Sequence, residues 1–560
     1  MPETPAPALP PELALPALAL QSLLTGTSVR EFIICAGARN SALLVLLAAV
    51  PGLRLWHHFE ERAAAFFALG RILDHGRPVA VVTTSGTAVA ELLPAIIEAH
   101  YQGLPLIALT ADRPASYRGT GAPQAIEQAG IFGCYPKLAL DVTGLESAPA
   151  VLASLASWAS GDFPGPLHLN LCLEEPTAAG LPVLRAAGAA LRCAATTEHD
   201  PQPEPVLTDP RAFPDPLVLI GDLLPCETAA VERFAAGLQA PVYAEAASGL
   251  RERACLHRLL LSGGDQMLKN QPHRSVIRLG GVPSCRFWRD LENRPEIPVC
   301  SYTRSGHSGL ARPSLVRPLH GLEIPASTGH GSAGGSVGGS GIPFDKRLAG
   351  LLAAYPASEP ALVHRLSQVI PGESVVFTGN SLAIRQWNLC AQPSHAVHAR
   401  ALRGANGIEG NLSAFLGLAA DAHEAWGLVG DLTALYDLAA PWMLAQLQTP
   451  RLRMVVIQNA GGKIFSRLPP LQGLTGFERR LMENPHQISL AGWARQWGLA
   501  HLNCHCHIPE MNPLPDRVVI ELHPDPVATE AFWQAWSSPP APSMASMPNP
   551  ALPSHQPPTA

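Results

Sequence analysis

Lysine is almost missing from this 560-residue chain. Of 39 basic residues only Lys137, Lys269, Lys346 and Lys463 are lysine, and the other 35 are arginine. Charge of either sign is scarce too, at 15%, against 47% for the hydrophobic set AVILMFWYC. That balance excludes a charged disordered protein and leaves ample material for buried cores. A net charge of −6 excludes a pan-basic nucleic-acid binder. No basic residue precedes Arg30, so the cationic start of a secretory signal is missing. Apolar runs such as 42–50 are too short to span a bilayer. The eleven cysteines are odd in number and scattered, which fits reduced thiols rather than a disulfide framework. Together these absences predict a cytoplasmic protein with no membrane span. No GxGxxG turn opens the first helical stretch, which argues against a nicotinamide-binding Rossmann enzyme.

What is present in excess is glycine (48) and proline (56). Between these breakers, apolar runs alternate with amphipathic stretches. Strands are expected at 31–35, 53–59, 79–84, 104–110 and 166–173, with helices at 61–73 and 87–100 between them. A second set falls at 216–220, 241–244, 275–279 and 297–302, and a third at 374–378, 396–399, 425–430, 453–458 and 517–522. Strands alternating with helices predict an α/β fold of three doubly wound parallel-sheet domains. The expected parts are residues 14–190, 205–327 and 343–536, with a Gly/Ser linker at 328–342 and a disordered Pro/Ser/Ala-rich tail at 537–560. A polar, proline-rich stretch at 196–210 reads as a further linker.

Ligands of such sheets sit beyond the carboxyl ends of the strands, and several polar clusters fall there. Gly430-Asp431-Leu432 and Asn459-Ala460-Gly461-Gly462 each follow an expected strand. An Asp and an Asn at neighbouring strand ends are hard oxygen ligands suited to Mg²⁺, and the glycines let backbone approach a diphosphate. Two ordinary strand–helix turns are the plainer alternative. Glu60-Glu61 opens a helix, where acids favour the dipole, or else Glu61 is a buried acid facing a cofactor nitrogen. Thr83 to Thr87 precede another helix, whose amino terminus their hydroxyls are expected to cap. Arg39, Arg113, Arg286, Arg385 and Arg403 recur near strand ends and suggest a polyanionic substrate, although codon usage accounts for most of the arginine excess. The His/Cys run 501–507 has no second pair at zinc spacing, and along a strand its His and Cys residues face opposite sides; it is taken as structural.

Glu61 early in the chain, then Gly430-Asp431 and Asn459 late, resemble the thiamine-diphosphate enzymes. A narrower set of stretches resembles the 2-succinyl-5-enolpyruvyl-6-hydroxy-3-cyclohexene-1-carboxylate synthases of menaquinone biosynthesis within that family. They are Cys35-Ala-Gly-Ala-Arg39-Asn40, Phe59-Glu-Glu-Arg62, Thr84-Ser-Gly-Thr-Ala-Val89, Leu109-Thr-Ala-Asp-Arg-Pro114 and Gln124-Ala-Ile-Glu-Gln128. They continue with Gly379-Asn-Ser-Leu382, Arg403-Gly-Ala-Asn-Gly-Ile-Glu-Gly410, Gly430-Asp-Leu-Thr-Ala-Leu-Tyr-Asp437 and Gly461-Gly-Lys-Ile-Phe-Ser466. The similarity runs from about residue 20 to 535 and is weakest in the middle.

This resemblance implies an N-terminal pyrimidine-binding domain, a central domain and a C-terminal diphosphate-binding domain. It implies thiamine diphosphate with Mg²⁺ or Mn²⁺, decarboxylation of 2-oxoglutarate, and conjugate addition of the succinyl-semialdehyde unit to isochorismate. Glu61 is then the catalytic acid at the aminopyrimidine. Ser85, Gly86, Ser381, Ile408, Gly430, Asp431, Leu432, Asn459, Gly461, Gly462 and Ile464 hold the cofactor, and Asp431, Asn459 and the Gly461 carbonyl hold the metal. Arg39, Arg113, Gln124, Arg286, Arg385 and Arg403 are implied to bind the substrates' carboxylates, with Ile464, Phe465 and Leu468 as an apolar wall. The family layout also implies a homodimer or homotetramer with active sites between subunits. Three positions depart from the usual pattern: Ala38, Pro123 and Cys285 stand where serine, asparagine and lysine are common. An acetolactate-synthase-like enzyme or another 2-oxoacid decarboxylase is the alternative within the cofactor class, and a non-catalytic binding protein is the alternative outside it.

Overall fold

Strands covered on both faces read as continuous apolar runs, and Val79–Thr83 and Leu106–Asp112 are buried along their whole length. The structure is a computed structural model that describes residues 10–146, 148–193, 213–322, 345–510 and 514–538. The linkers expected at 196–210 and 328–342, and all but the first two residues of the 537–560 tail, lie outside the described residues.

Three parallel sheets make up the architecture. The first contains β1 (Glu31–Ile34), β2 (Arg54–His57), β3 (Val79–Thr83), β4 (Leu106–Asp112), β5 (Leu138–Val142) and β6 (Leu167–Cys172), in the order β2-β1-β3-β4-β6-β5. The second contains β7 (Pro216–Ile220), β8 (Val242–Ala244), β9 (Ser275–Leu279), β10 (Val299–Thr303) and β11 (Leu315–Pro318), in the order β11-β10-β9-β7-β8. The third contains β12 (Val375–Thr378), β13 (His398–Arg400), β14 (Glu424–Gly430), β15 (Arg451–Ile457), β16 (Ala500–His505) and β17 (Arg517–His523), in the order β13-β12-β14-β15-β17-β16. In the third sheet the winding reverses between β12 and β14, so the loops after these two strands open onto a switch-point crevice.

The alternation of side chains along each strand feeds two cores. On the first sheet Phe32, Ala80, Val82 and Ile107 pack with Leu20, Leu43 and Leu46 on one face. Ile33, Val79, Val81 and Leu106 belong to a second core that also takes in Phe377, Ala425, Met454 and Val456 of the third sheet. The first and third sheets thus share one apolar interior, filled by the helices Glu61–His75 and Asn411–Ala419. These two helices approach backbone to backbone. A Cβ on Gly70 would stand 2.0 Å from the Ala414 carbonyl, and one on Gly417 would stand 2.1 Å from the Phe67 carbonyl.

A buried charge network locks the same junction. Arg71 donates to Glu31 (2.6 Å), Asp74 (2.9 Å), Asp421 (2.9 Å) and the Gly417 carbonyl (3.2 Å). Glu31 also accepts from Trp56 Nε1 at 2.6 Å and lies 3.0 Å from His75 Nε2. Burial alone would raise the Glu31 carboxyl, but the hydrogen bond to His75, the charge and hydrogen bond of Arg71, and the Trp56 bond hold it down to about 2.

The expected helix 87–100 is two helices, Thr87–Ala90 and Leu93–Gln102, with Pro94 in the first turn of the second. Three strands were not expected: β5, β11 and β16. Each is the outermost strand of its sheet.

Two outcomes test this junction. Gly417→Val drives a branched side chain into the Phe67 backbone, so it should lower the melting temperature, with a cost of at least about 1–3 kcal/mol, while Gly350→Val, in open space, should not. The Glu31 carboxyl is lowered on folding, so its stabilisation is present above its ordinary value of 4.5 and is lost as pH falls towards about 2. The melting temperature of the wild type should therefore fall more steeply between pH 6 and 3 than that of Glu31→Gln; parallel curves would refute this.

Candidate active site

Some of the expected site residues line two pockets that share no lining residue, while Gly86, Leu468 and the five expected arginines line neither. The first, about 710 Å³, is lined by Glu60, Glu61, Arg62, Thr84, Ser85, Thr87 and Gln124 of the first unit, with Leu435, Tyr436 and Leu438. The second, about 110 Å³, is lined by Asn380, Ser381, Ile408, Gly430, Asp431, Leu432, Asn459, Gly461, Gly462, Ile464 and Phe465, with Glu359 and Lys463. The short helix Asp431–Tyr436 contributes to both, its first turn to the second pocket and its last residues to the first.

In the first pocket the two adjacent acids divide their work. Glu60 caps the helix Glu61–His75, accepting from the backbone N–H of Arg62 and of Ala63, each at 3.1 Å. Glu61 is half-buried and has no side-chain partner among the described residues. Burial raises its carboxyl above the ordinary value; its own backbone N–H opposes the shift, and the charges of Glu60 and Glu91 add to it. The dipole reading therefore suits Glu60, and Glu61 is left facing the cavity.

The expected hydroxyl capping at 83–87 does not occur. Gly86 is the N-cap of Thr87–Ala90 and no side chain caps that helix. Thr83 Oγ1 and Ser85 Oγ are buried without a hydrogen-bond partner. The Gly86 N–H donates to Gln128 at 2.8 Å, and Gly86 packs against Gln124, a Cβ there lying 3.3 Å from the Gln124 Cα. Gln124 itself has a positive φ of 59° and is exposed.

The second pocket is built from strand ends. Asp431 follows β14 and is buried; Oδ1 accepts from the Leu432 N–H (2.7 Å) and Oδ2 from the Gly461 N–H (2.9 Å). His486 Nε2 lies 3.3 Å from Asp431 Oδ2. Burial raises the Asp431 carboxyl, against those two backbone donors and His486. Asn459 follows β15 and donates through Nδ2 to Glu359 (3.0 Å), which leaves Oδ1 without a partner among the described residues. Gly461 has φ 123°, and a Cβ there would sit 2.4 Å from the Glu483 carbonyl, so only glycine fits the turn. Glu483 holds that turn: its carbonyl accepts from the Gly462 N–H (2.6 Å), and its carboxylate from Lys463 (2.6 Å) and Ser466 (2.6 Å). A buried carboxylate, an amide oxygen and a backbone carbonyl form an all-oxygen donor set that fits Mg²⁺ or Mn²⁺.

Ser381 also has positive φ, 69°, where the chain turns into the helix Leu382–Cys390. Its neighbour Asn380 is buried, donates to the Gly407 carbonyl (2.7 Å) and accepts from Arg403 (2.8 Å). That bond places Ile408 and Arg403 beside the Ser381 turn. Glu98, from the first unit, accepts from the N–H groups of Gly404 (2.6 Å), Ala405 (2.6 Å) and Asn406 (3.2 Å) and so anchors the Arg403 loop.

The expected cations are dispersed. Arg39 is buried and paired with Glu175 (3.1 Å) and Glu174 (3.6 Å). The Arg113 guanidinium lies 5.4 Å from the Tyr117 ring centre, and its Nε is buried without a partner. Arg385 donates to the Ser381 carbonyl at 2.6 Å. Arg286 is exposed, opens the helix Arg286–Asp290 and lies 3.5 Å from Asp290. Leu468 is exposed and lines neither pocket, unlike Ile464 and Phe465. Among the described residues the one gathering of potential metal-ligating side chains of His, Cys, Asp or Glu is Asp112, Asp141 and Cys172, and Arg118 already bonds all three. The His/Cys run 501–507 forms no such gathering.

Glu98, Glu359, Glu483 and His486 were not anticipated. Glu359 follows an N-cap serine and precedes a proline, a sequence that reads only as a helix start.

Comparisons with known proteins show the family of the chain and a likeness of fold. Residues 17–131 match the family model described as the thiamine pyrophosphate enzyme N-terminal TPP binding domain. A 2-succinyl-5-enolpyruvyl-6-hydroxy-3-cyclohexene-1-carboxylate synthase from Akkermansia muciniphila is 43% identical over 92% of this chain and 97% of its own length. One from Bdellovibrio bacteriovorus is 40% identical over 94% and 98%. A thiamine diphosphate-dependent 4-hydroxybenzoylformate decarboxylase from Rhodococcus jostii RHA1 superposes with a TM-score of 0.61 at 16% identity, covering 90% of this chain and 98% of its own, which establishes likeness of fold. Among the described residues no helix is long and apolar enough to cross a membrane.

The loop geometry carries its own test. Glu483→Ala removes the partners of Lys463 and Ser466 while keeping the Glu483 carbonyl. Amide exchange across 461–466 should quicken relative to the wild type, with the melting temperature nearly unchanged.

Proposed function

The chain belongs to the 2-succinyl-5-enolpyruvyl-6-hydroxy-3-cyclohexene-1-carboxylate synthase family of thiamine-diphosphate enzymes, and from that membership we propose that it decarboxylates 2-oxoglutarate and adds the succinyl-semialdehyde unit to isochorismate. It is a transferase of the carboligase type, acting in menaquinone biosynthesis in the cytoplasm. Thiamine diphosphate, when bound, supplies the acidic carbon and the electron sink that loss of carbon dioxide from a 2-oxo acid requires.

The residues divide the remaining tasks. Glu61 holds and moves the proton at the aminopyrimidine nitrogen; a raised carboxyl exchanges that proton more readily near neutrality. Ser85 Oγ, buried and unpaired, and the Gly86 turn receive the same end of the cofactor. Asp431, Asn459 Oδ1 and the Gly461 carbonyl hold Mg²⁺ or Mn²⁺, whose charge offsets the cost of burying Asp431. Gly430, Leu432, Gly462, Ser381, Ile464 and Ile408 line the same pocket and would hold the cofactor there. Arg39, Arg113, Gln124, Arg286, Arg385 and Arg403 bind the substrates' carboxylates, and Ile464, Phe465 and Leu468 shield the reacting carbons.

The observation that carries the reading is the split site. The Glu61 pocket and the Asp431 pocket of one chain are separate cavities, whereas the proposed roles need both on one cofactor. A homodimer, or a homotetramer built from it, supplies the match: residues 14–190 of one copy face 343–536 of the other, and 205–327 forms the central unit. Exposed Phe59, Tyr436 and Leu438 line the first pocket and exposed Trp442 packs edge-on against Phe59, an apolar rim suited to burial against a second copy.

The enzyme given 2-oxoglutarate, isochorismate, thiamine diphosphate and Mg²⁺ should form the adduct, and without isochorismate should release aldehyde only slowly. Fast aldehyde release would favour a plain 2-oxoacid decarboxylase. Glu61→Gln should lower turnover by roughly 10²–10⁴-fold and leave Mg²⁺-dependent binding of thiamine diphosphate measurable by calorimetry; unchanged turnover would remove Glu61 from its role.

A further inference from the structure

Buried carboxylates need an explanation, because burial without partners is costly. Glu31 is explained by Arg71, Glu98 by the Arg403 loop and Glu483 by Lys463. Glu359 has no such structural partner. It is 2% exposed, yet it lines the Asp431 pocket. No cation lies within ion-pair distance of it among the described residues. Both of its oxygens accept from side-chain amides instead: Oε2 from Asn459 Nδ2 at 3.0 Å and Oε1 from Gln386 Nε2 at 2.8 Å. Its own N–H donates to Thr529 Oγ1 at 3.0 Å, which fixes the start of the helix Glu359–Val369 against the helix Pro526–Ser537.

A carboxamide has two chemically different ends, and only the oxygen can ligate a hard cation. Free rotation about its last torsion is broad and roughly two-fold. An unguided Asn459 would therefore present its NH₂ to a cation for part of the time. A carboxylate placed on one side of the amide accepts only from the nitrogen, and so turns the oxygen the other way.

We propose that Glu359 is a positioning residue for the divalent cation: its carboxylate pins the Asn459 amide nitrogen so that Oδ1 faces the site formed by Asp431 and the Gly461 carbonyl. The inference rests on the metal-site reading above. Glu359 touches no ligand itself and acts through Asn459. Gln386 completes the clamp from the other side; its Oε1 is buried without a partner, so its amide is free to turn over if the residue facing it changes.

Two conservative substitutions pull orientation and charge apart. Glu359→Gln loses the charge but keeps an acceptor oxygen for Asn459, and its new NH₂ meets the unpaired Gln386 oxygen after that amide turns. Glu359→Asp keeps the charge but retracts it by about 1.5 Å, one carbon–carbon bond, beyond reach of Asn459. Mn²⁺ is titrated into each protein with thiamine diphosphate present, and free Mn²⁺ is read from its electron paramagnetic resonance signal. Melting temperatures are recorded alongside. Glu359→Asp should bind Mn²⁺ about 10–100-fold more weakly, the usual loss for an outer partner of a metal ligand, and Glu359→Gln should stay within about threefold of the wild type. The opposite order would show that charge matters and orientation does not, and would overturn the proposal, as would wild-type affinity in both variants. Asp431→Ala serves as the control for the site: if it binds Mn²⁺ like the wild type, the metal-site reading fails and the proposal falls with it, whereas weakened binding in Asp431→Ala beside wild-type binding in Glu359→Asp overturns the proposal alone.

Discussion

The contact on which the rest of the molecule depends is the crossing of two helices with almost no side chain between them. Gly70 and Gly417 let the helices Glu61–His75 and Asn411–Ala419 meet through their backbones. A methyl group at either point would overlap a carbonyl oxygen, so the approach is set by sterics rather than by affinity. The apolar interior common to the first and third sheets closes around this crossing, and Arg71 stitches its rim. Glu61 opens the first of these helices, while the second is bound to the segment after Asp431 by Asp437, which accepts from the Ser413 N–H (2.7 Å) and hydroxyl (2.9 Å). The direction in which each half-site faces is therefore inherited from a single packing contact.

Charge placement follows from the same frame. Three of the buried acids sit where a segment is held in place: Glu98 under the Arg403 loop, Asp437 under the Asp431 helix, Glu483 under the glycine turn. Burial raises Asp437 to about 6, against its bonds to Ser413. Glu98 holds its loop by satisfying three backbone N–H donors that would otherwise be orphaned, Asp437 acts by taking the N–H and hydroxyl of Ser413, and the Glu483 carboxylate by taking the Lys463 and Ser466 side chains. The arginines are less uniform. Arg71 and Arg118 are structural, buried or half-buried among carboxylates, while Arg385 and Arg403 gather at the turn beside Ser381.

Much of the fold was legible in the sequence because interior strands of a parallel sheet are covered twice and read as unbroken apolar runs. Pro216–Ile220 and Ser275–Leu279 matched their expected bounds. The strands that escaped, β5, β11 and β16, are edges; Leu315–Pro318 is nowhere fully buried, and Ala500–His505 carries His and Asn among its apolar residues. The glycine turns and the acids of the two pockets were visible as motifs at strand ends. Glu359 was not, since nothing in a serine, a glutamate and a proline in succession distinguishes an ordinary helix start from one whose acid is turned inward. Its partner Asn459 lies 100 residues away, and only the fold brings them together. The expected capping by Thr83 and Ser85 gives way to an N-cap at Gly86, with φ 90° and no side-chain hydrogen bond to the helix.

The helix Asp431–Tyr436 reaches both cavities within six residues. Its length is thereby held from two sides. An insertion there would shift one cavity's wall in order to preserve the other, and a deletion would do the same in reverse. A loop that lines neither cavity carries no such double constraint, but this segment cannot be edited for one function alone. Descent along this lineage should therefore be recorded in it as substitution without change of register.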